Sequence, residues 1–514
     1  MTARPAAPRP EPADRDAFRA VVAVALGLAL FRLAVLFIGG MPLYLDEAQY
    51  WFWGQDPAFG YFSKPPLIGW AIAATTAVCG DGPACVKASS PLAYAVAPIF
   101  AYLLGRNMFS VRVGLYAAIG FATLPGVAFS GFIVSTDPLL LLCWTGALWA
   151  FERGLATGGR RYWACAGLFL GFGMLAKYAM AYFFAPALIV TLLGTYGRRS
   201  WGGLLLAAGI GLAVLSPNLI WNALSGFETF KHTAANASVG AHVGNLAGVL
   251  DFLADQAAIV GPILAVVLIA TLVRPRGLFL VPAFRLLAWF SLPILGLLVV
   301  QAFLSRAHGN WAAVAYPALS LFLFAALDRL DYRRLLRATI GFHAGAFLVI
   351  GVALAVGQVP FVTLSTATDP FRWIRGWDRL AQAVEGRRAV PGGRPLAVIT
   401  TERGATAELI YHLRDSDALV RRWSADENNP DDHFAMVLDL DDALGCDAVI
   451  VSRGPELPAA LAGRFDSVEG PVRIDMRPYE DRKGTYHLFI GKRFGRIDAA
   501  DNTCRSITRT GRRL

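Results

Sequence analysis

Long apolar runs dominate the first two thirds of the chain. Allowing for tilt and for short spans, eleven of them are long enough to cross a hydrocarbon core of about 30 Å. They lie at residues 20–38, 89–104, 113–133, 138–151, 162–176, 179–195, 202–221, 257–273, 283–303, 311–327 and 338–357. A shorter run at 66–78 is expected to lie in the membrane interface or to dip in and return. The pattern predicts a mainly α, polytopic membrane domain of about eleven helices.

The pattern changes beyond residue 371. Short strand-like runs at 396–400, 418–423, 447–452 and 487–490 are separated by helical stretches such as 405–413. Residues 372–514 are therefore expected to form a soluble α/β domain, and we interpret it as a lid or an acceptor-docking module without chemistry of its own. The predicted domain plan is a disordered cytoplasmic tail at 1–18, a membrane domain at 19–357, a linker at 358–371 and the α/β domain at 372–514.

Composition supports this division. Hydrophobic residues make up 56% of the chain and charged residues only 16%, which excludes a soluble enzyme. Residues 1–371 carry 24 Lys and Arg against 15 Asp and Glu, whereas residues 372–514 carry 23 against 22. The net charge of +10 thus comes from short loops between apolar runs. Positive charge placed in this way sets the orientation of a protein in the membrane. It therefore favours membrane lipids as partners and excludes nucleic acid.

The arginines predict a topology because every alternate loop is rich in them. Since positive loops stay in the cytoplasm, the N-terminus is predicted to be cytoplasmic, and eleven crossings would place the C-terminal domain outside. The arginines that set this pattern are Arg4, Arg9, Arg15, Arg19, Arg106, Arg112, Arg153, Arg160, Arg161, Arg198, Arg199, Arg274, Arg276, Arg329, Arg333, Arg334 and Arg337.

Charges of both signs are predicted at the opposite, outer face. The lysines of the membrane domain are all there, at positions 64, 87, 177 and 231, and acids occur at 46, 47 and 137. This mixture favours a site for an anionic substrate. Structural alternatives stay open: adjacent acids at 46 and 47 suit a helix start, Asp137 before Pro138 suits an N-cap, Lys177 suits a snorkelling role, and Lys87 suits an ordinary loop charge.

Six segments, taken in order, resemble the GT-C glycosyltransferases of family 39, which include the protein O-mannosyltransferases and the lipid A aminoarabinose transferases. The segments are Asp-Glu after the first span, Gly-Tyr-Phe-Ser-Lys-Pro-Pro-Leu at 60–67, Ser-Thr-Asp-Pro-Leu-Leu-Leu at 135–141, Leu-Ala-Lys-Tyr at 175–178, Ser-Pro-Asn-Leu-Ile-Trp-Asn at 216–222, and Gly-Asn-Trp at 309–311. The resemblance covers residues 20–330. It implies a GT-C fold and an inverting transferase that takes a sugar from a polyprenyl-phosphate carrier at the outer face.

The resemblance also implies roles for particular residues. By position, Asp46 matches the loop acid proposed as catalytic base in the family, with Glu47 beside it, and Asp137 matches the second loop acid. Lys64 matches a lysine near the donor phosphate, and Lys177 matches another basic residue of that cavity. An anionic leaving group stabilised by lysines and a carboxylate base are what transfer to a hydroxyl requires.

Further residues complete the predicted site. Arg32 lies within the first span, where an isolated charge costs about 2.5–3.5 kcal/mol, so it is expected to face the protein interior with an acidic or phosphate partner. Arg306 is a second candidate for the phosphate. The substrate cavity is assigned to Tyr61, His232, His308 and Asn310.

One position departs from the aminoarabinose transferases. They carry an acid implicated in metal binding just before Lys-Pro-Pro, where this chain has Ser63. The difference argues against aminoarabinose transfer to lipid A and against a bound zinc. His232, His242 and His308 could supply metal ligands, but they match no tight ligand spacing. No cofactor is therefore assigned, and a divalent metal stays an open alternative.

The predicted function is transfer of a sugar from a polyprenyl-phosphate donor to a hydroxyl of a glycan, lipid or protein at the outer face of the cell inner membrane. The first alternative is a transporter or flippase of lipid-linked sugars, in which polar residues near mid-membrane and broken helices in repeated halves are expected. The second is a receptor, which leaves the segment from Asp46 to Lys64 unexplained.

The six cysteines predict two disulfides. Cys79 and Cys85 bracket a short outer loop in an oxidising compartment and are expected to pair. Cys446 and Cys504 form a second candidate pair. Cys143 and Cys165 lie within spans and are interpreted as packing residues.

Overall fold

The computed structural model describes residues 12–193, 199–237, 243–356, 371–389, 395–426, 429–476 and 484–495. The chain divides into two compact units. The first comprises Met1–Gly39 and Lys64–Ala355, and the second comprises Gly40–Ser63 and Val356–Leu514. A segment of the first loop therefore belongs with the C-terminal part of the chain. The predicted linker lies outside the described residues except for its last residue, and the predicted domain boundaries stay a prediction.

The first unit is helical. The helices up to residue 356 are numbered in chain order. They are α1 (Pro12–Gly39), α2 (Leu45–Gly54), α3 (Leu67–Cys79), α4 (Pro83–Lys87), α5 (Ser89–Met108), α6 (Val111–Thr123), α7 (Pro125–Ser130), α8 (Thr136–Thr157), α9 (Arg160–Ala176), α10 (Phe184–Leu193), α11 (Arg199–Leu224), α12 (Glu228–Ala237), α13 (Leu246–Val260), α14 (Pro262–Val273), α15 (Pro282–Trp289), α16 (Leu292–Leu304), α17 (Tyr316–Arg329) and α18 (Arg333–Val356), of which α2 alone belongs to the second unit. Short 3₁₀ helices at Tyr178–Phe183, Leu278–Leu280 and Gly309–Ala315 join some of them.

Seven helices among the described residues are long and apolar enough to cross a membrane, and a pair bent by 113°, Leu246–Val260 with Pro262–Val273, brings the number to eight. The predicted count of eleven is not confirmed, because several apolar runs are interrupted. The run at 113–133 breaks where Pro125 follows α6, since proline ends a helix at the residue before it. The run at 66–78 forms α3, whose 13 residues extend for only about 20 Å.

The first helix begins earlier than the apolar pattern predicts. Residues 12–18, expected in the disordered tail, belong to α1, and residues 1–11 lie outside the described residues. Two polar partners on α5 explain the extra turns. The Asp14 carboxylate accepts a hydrogen bond from the Tyr102 hydroxyl at 2.6 Å and forms an ion pair with Arg106 at 3.0 Å.

Several arginine-rich ends of the helices meet. Arg106 pairs with Asp14 on α1, Arg112 pairs with Asp328 at the end of α17 at 2.8 Å, and Arg276 donates to Tyr332 just before α18. These contacts bring together four segments that the alternating arginine pattern places on one side of the membrane. The orientation of that side stays a prediction.

The core of the first unit surrounds α8, which packs against α5 and α9. Trp144 and Leu148 of α8 are fully buried there. Close packing also joins α5 to α6, where a Cβ on Gly105 would lie 2.9 Å from the Cα of Gly114. Only glycine allows that approach, as in other closely packed membrane helices.

The second unit is built on a five-stranded sheet with the order β2-β1-β3-β5-β4. Its strands are β1 (Ala397–Thr400), β2 (Val420–Arg422), β3 (Ala448–Ser452), β4 (Phe465–Asp475) and β5 (Thr485–Phe494), and its helices are α2, α19 (Trp377–Arg388), α20 (Arg403–His412), α21 (His433–Val437) and α22 (Ala459–Ala462). Strand β1 is parallel to β2 and β3, and β5 is antiparallel to β3 and β4. Apolar clusters cover both faces of the sheet. The predicted α/β class is confirmed for this part of the chain.

The cysteines agree with the predicted pattern where they are described. Cys79 and Cys85 form a disulfide, as predicted, and Cys143 and Cys165 are free thiols on α8 and α9. Cys504 lies outside the described residues, so its pairing with Cys446 stays a prediction.

Candidate active site

The segment between the first span and Lys64 presents Asp46 at the start of α2. The Glu47 carboxylate accepts a hydrogen bond from the backbone N–H of Tyr44 at 2.8 Å, and the residue is 2% exposed. Glu47 therefore takes part in capping the N-terminus of α2. The side chain of Asp46 is 38% exposed. The structural alternative therefore applies to Glu47, while Asp46 is the acid open to solvent.

Asp46 is bound by an arginine that the sequence motifs did not indicate. Arg403, the first residue of α20, donates from Nη1 to Asp46 Oδ1 at 2.7 Å and to Gln49 Oε1 at 2.6 Å. Burial alone would lower the pKa of Arg403, but the Asp46 carboxylate outweighs it and holds that pKa above its usual value. The one sequence signal for Arg403 is its place at the carboxyl end of a parallel strand, where α/β folds usually bind ligands.

Aromatic contacts hold α2 within the second unit. Trp51 packs edge-on against Tyr411 of α20, with ring centroids 5.0 Å apart. Trp53 stacks on Tyr61 at 4.5 Å, and the His433 ring packs edge-on against both. These buried rings fix α2, and with it Asp46, on the C-terminal part of the chain.

Tyr61 is enclosed among these rings. Its side chain is 1% exposed, and its hydroxyl donates to the Trp53 carbonyl at 3.0 Å. Burial raises the pKa of Tyr61 to about 12, so the phenol stays protonated and keeps this bond. The sequence assigned Tyr61 to the substrate cavity, whereas the structure places it in the support of α2.

The first unit brings three predicted residues together. Asp137 Oδ1 accepts from Lys177 Nζ at 2.7 Å, and its Oδ2 accepts from Asn310 Nδ2 at 2.9 Å. The pair is mostly buried, with side-chain exposures of 10% for Asp137 and 20% for Lys177. We call this group the Asp137 cluster. Its carboxylate holds one ammonium and one amide in fixed positions.

The Asp137 cluster lies far from the arginine-rich helix ends. Ser135, rather than Asp137, caps α8, and its hydroxyl accepts from the Asp137 N–H. The predicted N-cap is corrected accordingly, because Asp137 stands in the first turn with its carboxylate turned to Lys177. Arg153, sixteen residues further along α8, is about 24 Å away along the helix axis. Lys177 follows the last residue of α9 and Asn310 precedes α17, which fits the same end.

The segment at 216–222 holds Tyr178, the residue that follows Lys177. Tyr178 donates to Asn218 Oδ1 at 2.8 Å, and Asn222 donates to the Tyr178 hydroxyl at 3.2 Å. Both asparagines are fully buried on α11, and Tyr178 stacks on Phe230 at 4.9 Å. This explains why the resemblance includes a segment without ionisable groups.

The 3₁₀ helix before α17 supports Asn310. Gln256 of α13 donates to the Gly309 carbonyl at 3.3 Å, and its Oε1 accepts from the Tyr316 hydroxyl. Asn310 is therefore tied to α13 and α17 as well as to Asp137.

Arg32 is fully buried in α1, as predicted, but its partners differ from those predicted. Its Nη2 donates to the carbonyls of Ala122 at 3.3 Å and Val127 at 3.2 Å, and its guanidinium lies over the rings of Tyr94 and Phe347. Backbone carbonyls and π faces replace the expected acid or phosphate within the described residues. Arg32 thus braces the turn between α6 and α8.

The remaining predicted residues lie in other segments of the chain. Lys64 is half-buried directly before Pro65, and Arg306 and His308 are exposed in the segment before α17. His232 lies on α12, with its ring beside Asn236, and His242 lies outside the described residues. Lys87, expected to be an ordinary loop charge, is 1% exposed in α4.

The described residues include no group of three or more His, Cys, Asp or Glu side chains that could hold a metal ion. The chemistry proposed below uses side chains of the chain itself.

Several known proteins resemble this chain in sequence. Residues 63–221 match the family model described as dolichyl-phosphate-mannose-protein mannosyltransferase. The lipid A galacturonosyltransferase RgtD of Rhizobium johnstonii is 30% identical over 402 residues, which cover 77% of this chain and 83% of that protein. The undecaprenyl phosphate-α-4-amino-4-deoxy-L-arabinose arabinosyl transferase of Pseudomonas aeruginosa is 32% identical over 31% of this chain and 29% of its own length.

A solved structure shares the fold. The ArnT of Cupriavidus metallidurans in its apo state superposes with a TM-score of 0.65 at 16% identity, covering 92% of this chain and 97% of that one. The multi-pass helical fold, the ordered segments and the long alignment with RgtD all agree. The chain belongs to the GT-C glycosyltransferases of family 39.

Proposed function

We propose that the chain transfers a galacturonosyl group from a polyprenyl-phosphate donor to a hydroxyl of lipid A or of the adjoining lipopolysaccharide core. The observation that carries the proposal is the likeness to RgtD, a lipid A galacturonosyltransferase, along 83% of that protein. The lipopolysaccharide core galacturonosyltransferase RgtA of the same organism is also similar, at 28% identity. The carrier follows from the arabinosyl transferases, whose name includes undecaprenyl phosphate.

The proposed reaction is a single displacement at the anomeric carbon. Asp46 takes the proton of the acceptor hydroxyl, whose oxygen forms a bond to C1 on the face opposite the phosphate. The bond between C1 and the phosphate oxygen breaks, and its electron pair leaves with the phosphate. Attack from the opposite face inverts the anomeric configuration. The half-exposed carboxylate of Asp46 suits such a base, because a substrate hydroxyl can reach it.

Lysines balance the charge of the leaving phosphate in this proposal. Lys64 is the principal candidate, because its ammonium acts as a point charge and the two prolines after it fix the backbone. Lys177 already shares its charge with Asp137, so we assign the Asp137 cluster to orienting Lys177 toward the donor rather than to a second base. Arg306, His232 and His308 remain candidates for contacts with the sugar or the acceptor.

Family membership favours this proposal over a flippase or a receptor. We place the reaction at the outer face of the cell inner membrane, with the N-terminus in the cytoplasm and the second unit outside. The arginine-rich ends that meet at Asp14, Arg112 and Arg276 support that orientation.

The first test compares lipid A and core oligosaccharide from cells with and without the gene by mass spectrometry. We expect one hexuronic acid to be lost from either structure when the gene is deleted. Unchanged envelope glycans would refute the proposed acceptor, and loss of a neutral sugar would refute the proposed donor.

The second test replaces Asp46 by Asn in the full-length protein, with Asp56→Asn in the same segment as matched control. Loss of the base should reduce transfer by at least about 100-fold, whereas Asp56→Asn should retain it, with equal amounts of both proteins in the membrane. Near-normal turnover by Asp46→Asn would exclude Asp46 as the base.

The third test replaces Lys64 by Ala. Because Lys64 is assigned to the donor phosphate, the variant should lose donor affinity and turnover while the acceptor KM stays unchanged. If donor KM and kcat are both normal, Lys64 is an ordinary loop charge.

A further inference from the structure

The C-terminal part of the chain reaches the proposed base through Arg403. We propose that Arg403 is a positioning residue, which fixes the Asp46 carboxylate in the orientation needed to take the acceptor's proton. This inference rests on the proposed role of Asp46. The sequence predicted an α/β domain without chemistry of its own. In this proposal the domain instead supplies a residue that positions the catalytic base.

The geometry at the carboxylate leaves one oxygen for chemistry. Arg403 Nη1 binds Oδ1 of Asp46, and the same nitrogen binds Oε1 of Gln49 one turn along α2. Within the described part of the chain no hydrogen bond reaches Asp46 Oδ2. Gln49 is 2% exposed, so it is a fixed anchor for the guanidinium. One carboxylate oxygen is thus held while the other is open to a substrate hydroxyl.

Hydrogen bonds hold the turn between β1 and α20, in which Arg403 lies. Thr400, at the end of β1, shares a 2.6 Å hydrogen bond with Thr406 of α20, and the Thr406 hydroxyl donates to the Glu402 carbonyl at 2.9 Å. The Glu402 carboxylate accepts from the buried Tyr486 hydroxyl of β5. These bonds secure the residue before Arg403 and the one three positions after it. A second layer of this kind is what keeps a reacting group within the narrow range that catalysis needs.

Stability is a weaker explanation for the Asp46–Arg403 pair. Both side chains are more than a third exposed, at 38% and 39%. Ion pairs that open to solvent add little to folding, because water screens them and two side chains must be ordered. The rings of Trp51, Trp53, Tyr61 and Tyr411 already hold α2 in place. Removal of the guanidinium should therefore affect the orientation of Asp46 more than the fold.

The experiment measures kcat and donor KM for Arg403→Gln and Arg403→Lys in the full-length protein. For Arg403→Gln we expect kcat to fall on the order of 100-fold, as for other small misplacements of a reacting group, with donor KM unchanged within about threefold. Arg403→Lys keeps a positive charge and should recover about tenfold of that loss. Arg388→Gln is the matched control, because Arg388 forms ion pairs with Glu385 and Asp417 elsewhere in the second unit.

Chemical rescue separates positioning from folding. Added guanidinium ion should restore part of kcat to Arg403→Ala and none to Arg388→Ala. Normal kcat in Arg403→Gln, with Asp46→Asn inactive, would overturn the role of Arg403 and leave the proposed function standing. An active Asp46→Asn would instead overturn the base itself. Parallel losses in the Arg403 and Arg388 variants, with equal falls in Tm, would overturn positioning in favour of a structural role.

Discussion

At the scale of single residues, the first unit is organised by one carboxylate with two partners. Asp137 accepts from Lys177 and from Asn310, which come from connections 40 and 173 residues away in the sequence. The segments that contain all three could be selected from the sequence because each carries a polar residue beside an apolar run. Their mutual contact could not, because it depends on how α8, α9 and α17 pack.

Arg403 illustrates the limit of sequence reasoning more sharply. Its partner Asp46 is 357 positions away, and neither lies in a segment whose pattern indicates the other. The sequence also did not show that Tyr61 and Glu47 are buried. An aromatic residue or an acid in a loop gives the same sequence pattern whether it contacts a substrate or stabilises a helix. Burial, which the sequence does not report, separates the two cases.

The Asp137–Lys177 pair leads to a stability prediction. Lys177→Met should leave a mostly buried carboxylate without its cation and reduce the free energy of unfolding by about 3 kcal/mol. The double variant Asp137→Asn with Lys177→Met should regain most of that loss, since no charge is left unpaired. Thermal unfolding in detergent measures both, through reaction of the buried Cys143 thiol with a fluorogenic reagent.

Lys231→Met is the control for this prediction. Lys231 pairs with Glu228 on α12, and its side chain is 65% exposed. Its loss should change the free energy of unfolding by less than about 0.5 kcal/mol. Equal effects of the two lysine substitutions would contradict a special role for the Asp137 cluster.

At the scale of elements, apolar runs predicted the four strands with buried side chains and the helix now numbered α20. Strand β4 was missed because most of its side chains are exposed, so it has no apolar run. The predicted number of eleven spans is not confirmed, for a related reason. A run of apolar residues does not show where a proline divides it, as at Pro125, or where a 3₁₀ helix replaces its first residues, as at Tyr178–Phe183.

The start of α19 gives an element-scale prediction. Gly376 has φ of +88°, and a Cβ there would lie 2.2 Å from the Met476 carbonyl oxygen. Gly376→Ala should therefore destabilise the second unit by at least about 2 kcal/mol. Gly386→Ala, within α19 and with no heavy atom within 4 Å of its Cβ, should be neutral or stabilising by up to about 1 kcal/mol. Limited proteolysis of the full-length protein distinguishes them, and equal resistance of the two variants would contradict the strained start of α19.

At the scale of the whole molecule, composition and the arginine pattern predicted the membrane class, and fold comparison confirmed it. The orientation in the membrane is still a prediction, and the helix ends make it specific. Thr157 lies at the arginine-rich end of α8, and Lys231 lies on α12 in a loop predicted to be outside.

Single cysteines at these two positions test the orientation. In cells with a permeabilised outer membrane, a membrane-impermeant thiol reagent should label Lys231→Cys and leave Thr157→Cys unlabelled until the inner membrane is opened. Cys165, a partly exposed free thiol, is replaced by Ser in both variants, whereas Cys143 is buried and Cys79 is paired with Cys85. The reverse labelling pattern would invert the topology.

The membership of α2 in the second unit has a consequence for synthesis. Residues 40–63 leave the ribosome long before Arg403 and Tyr411, their partners on α20. At 5–20 residues per second the intervening stretch of about 340 residues takes about 20–70 s to make. During that time Trp51 lacks its partner Tyr411, and Asp46 lacks Arg403. The order of synthesis therefore means that the Asp46 region can be completed only after α20 has been made.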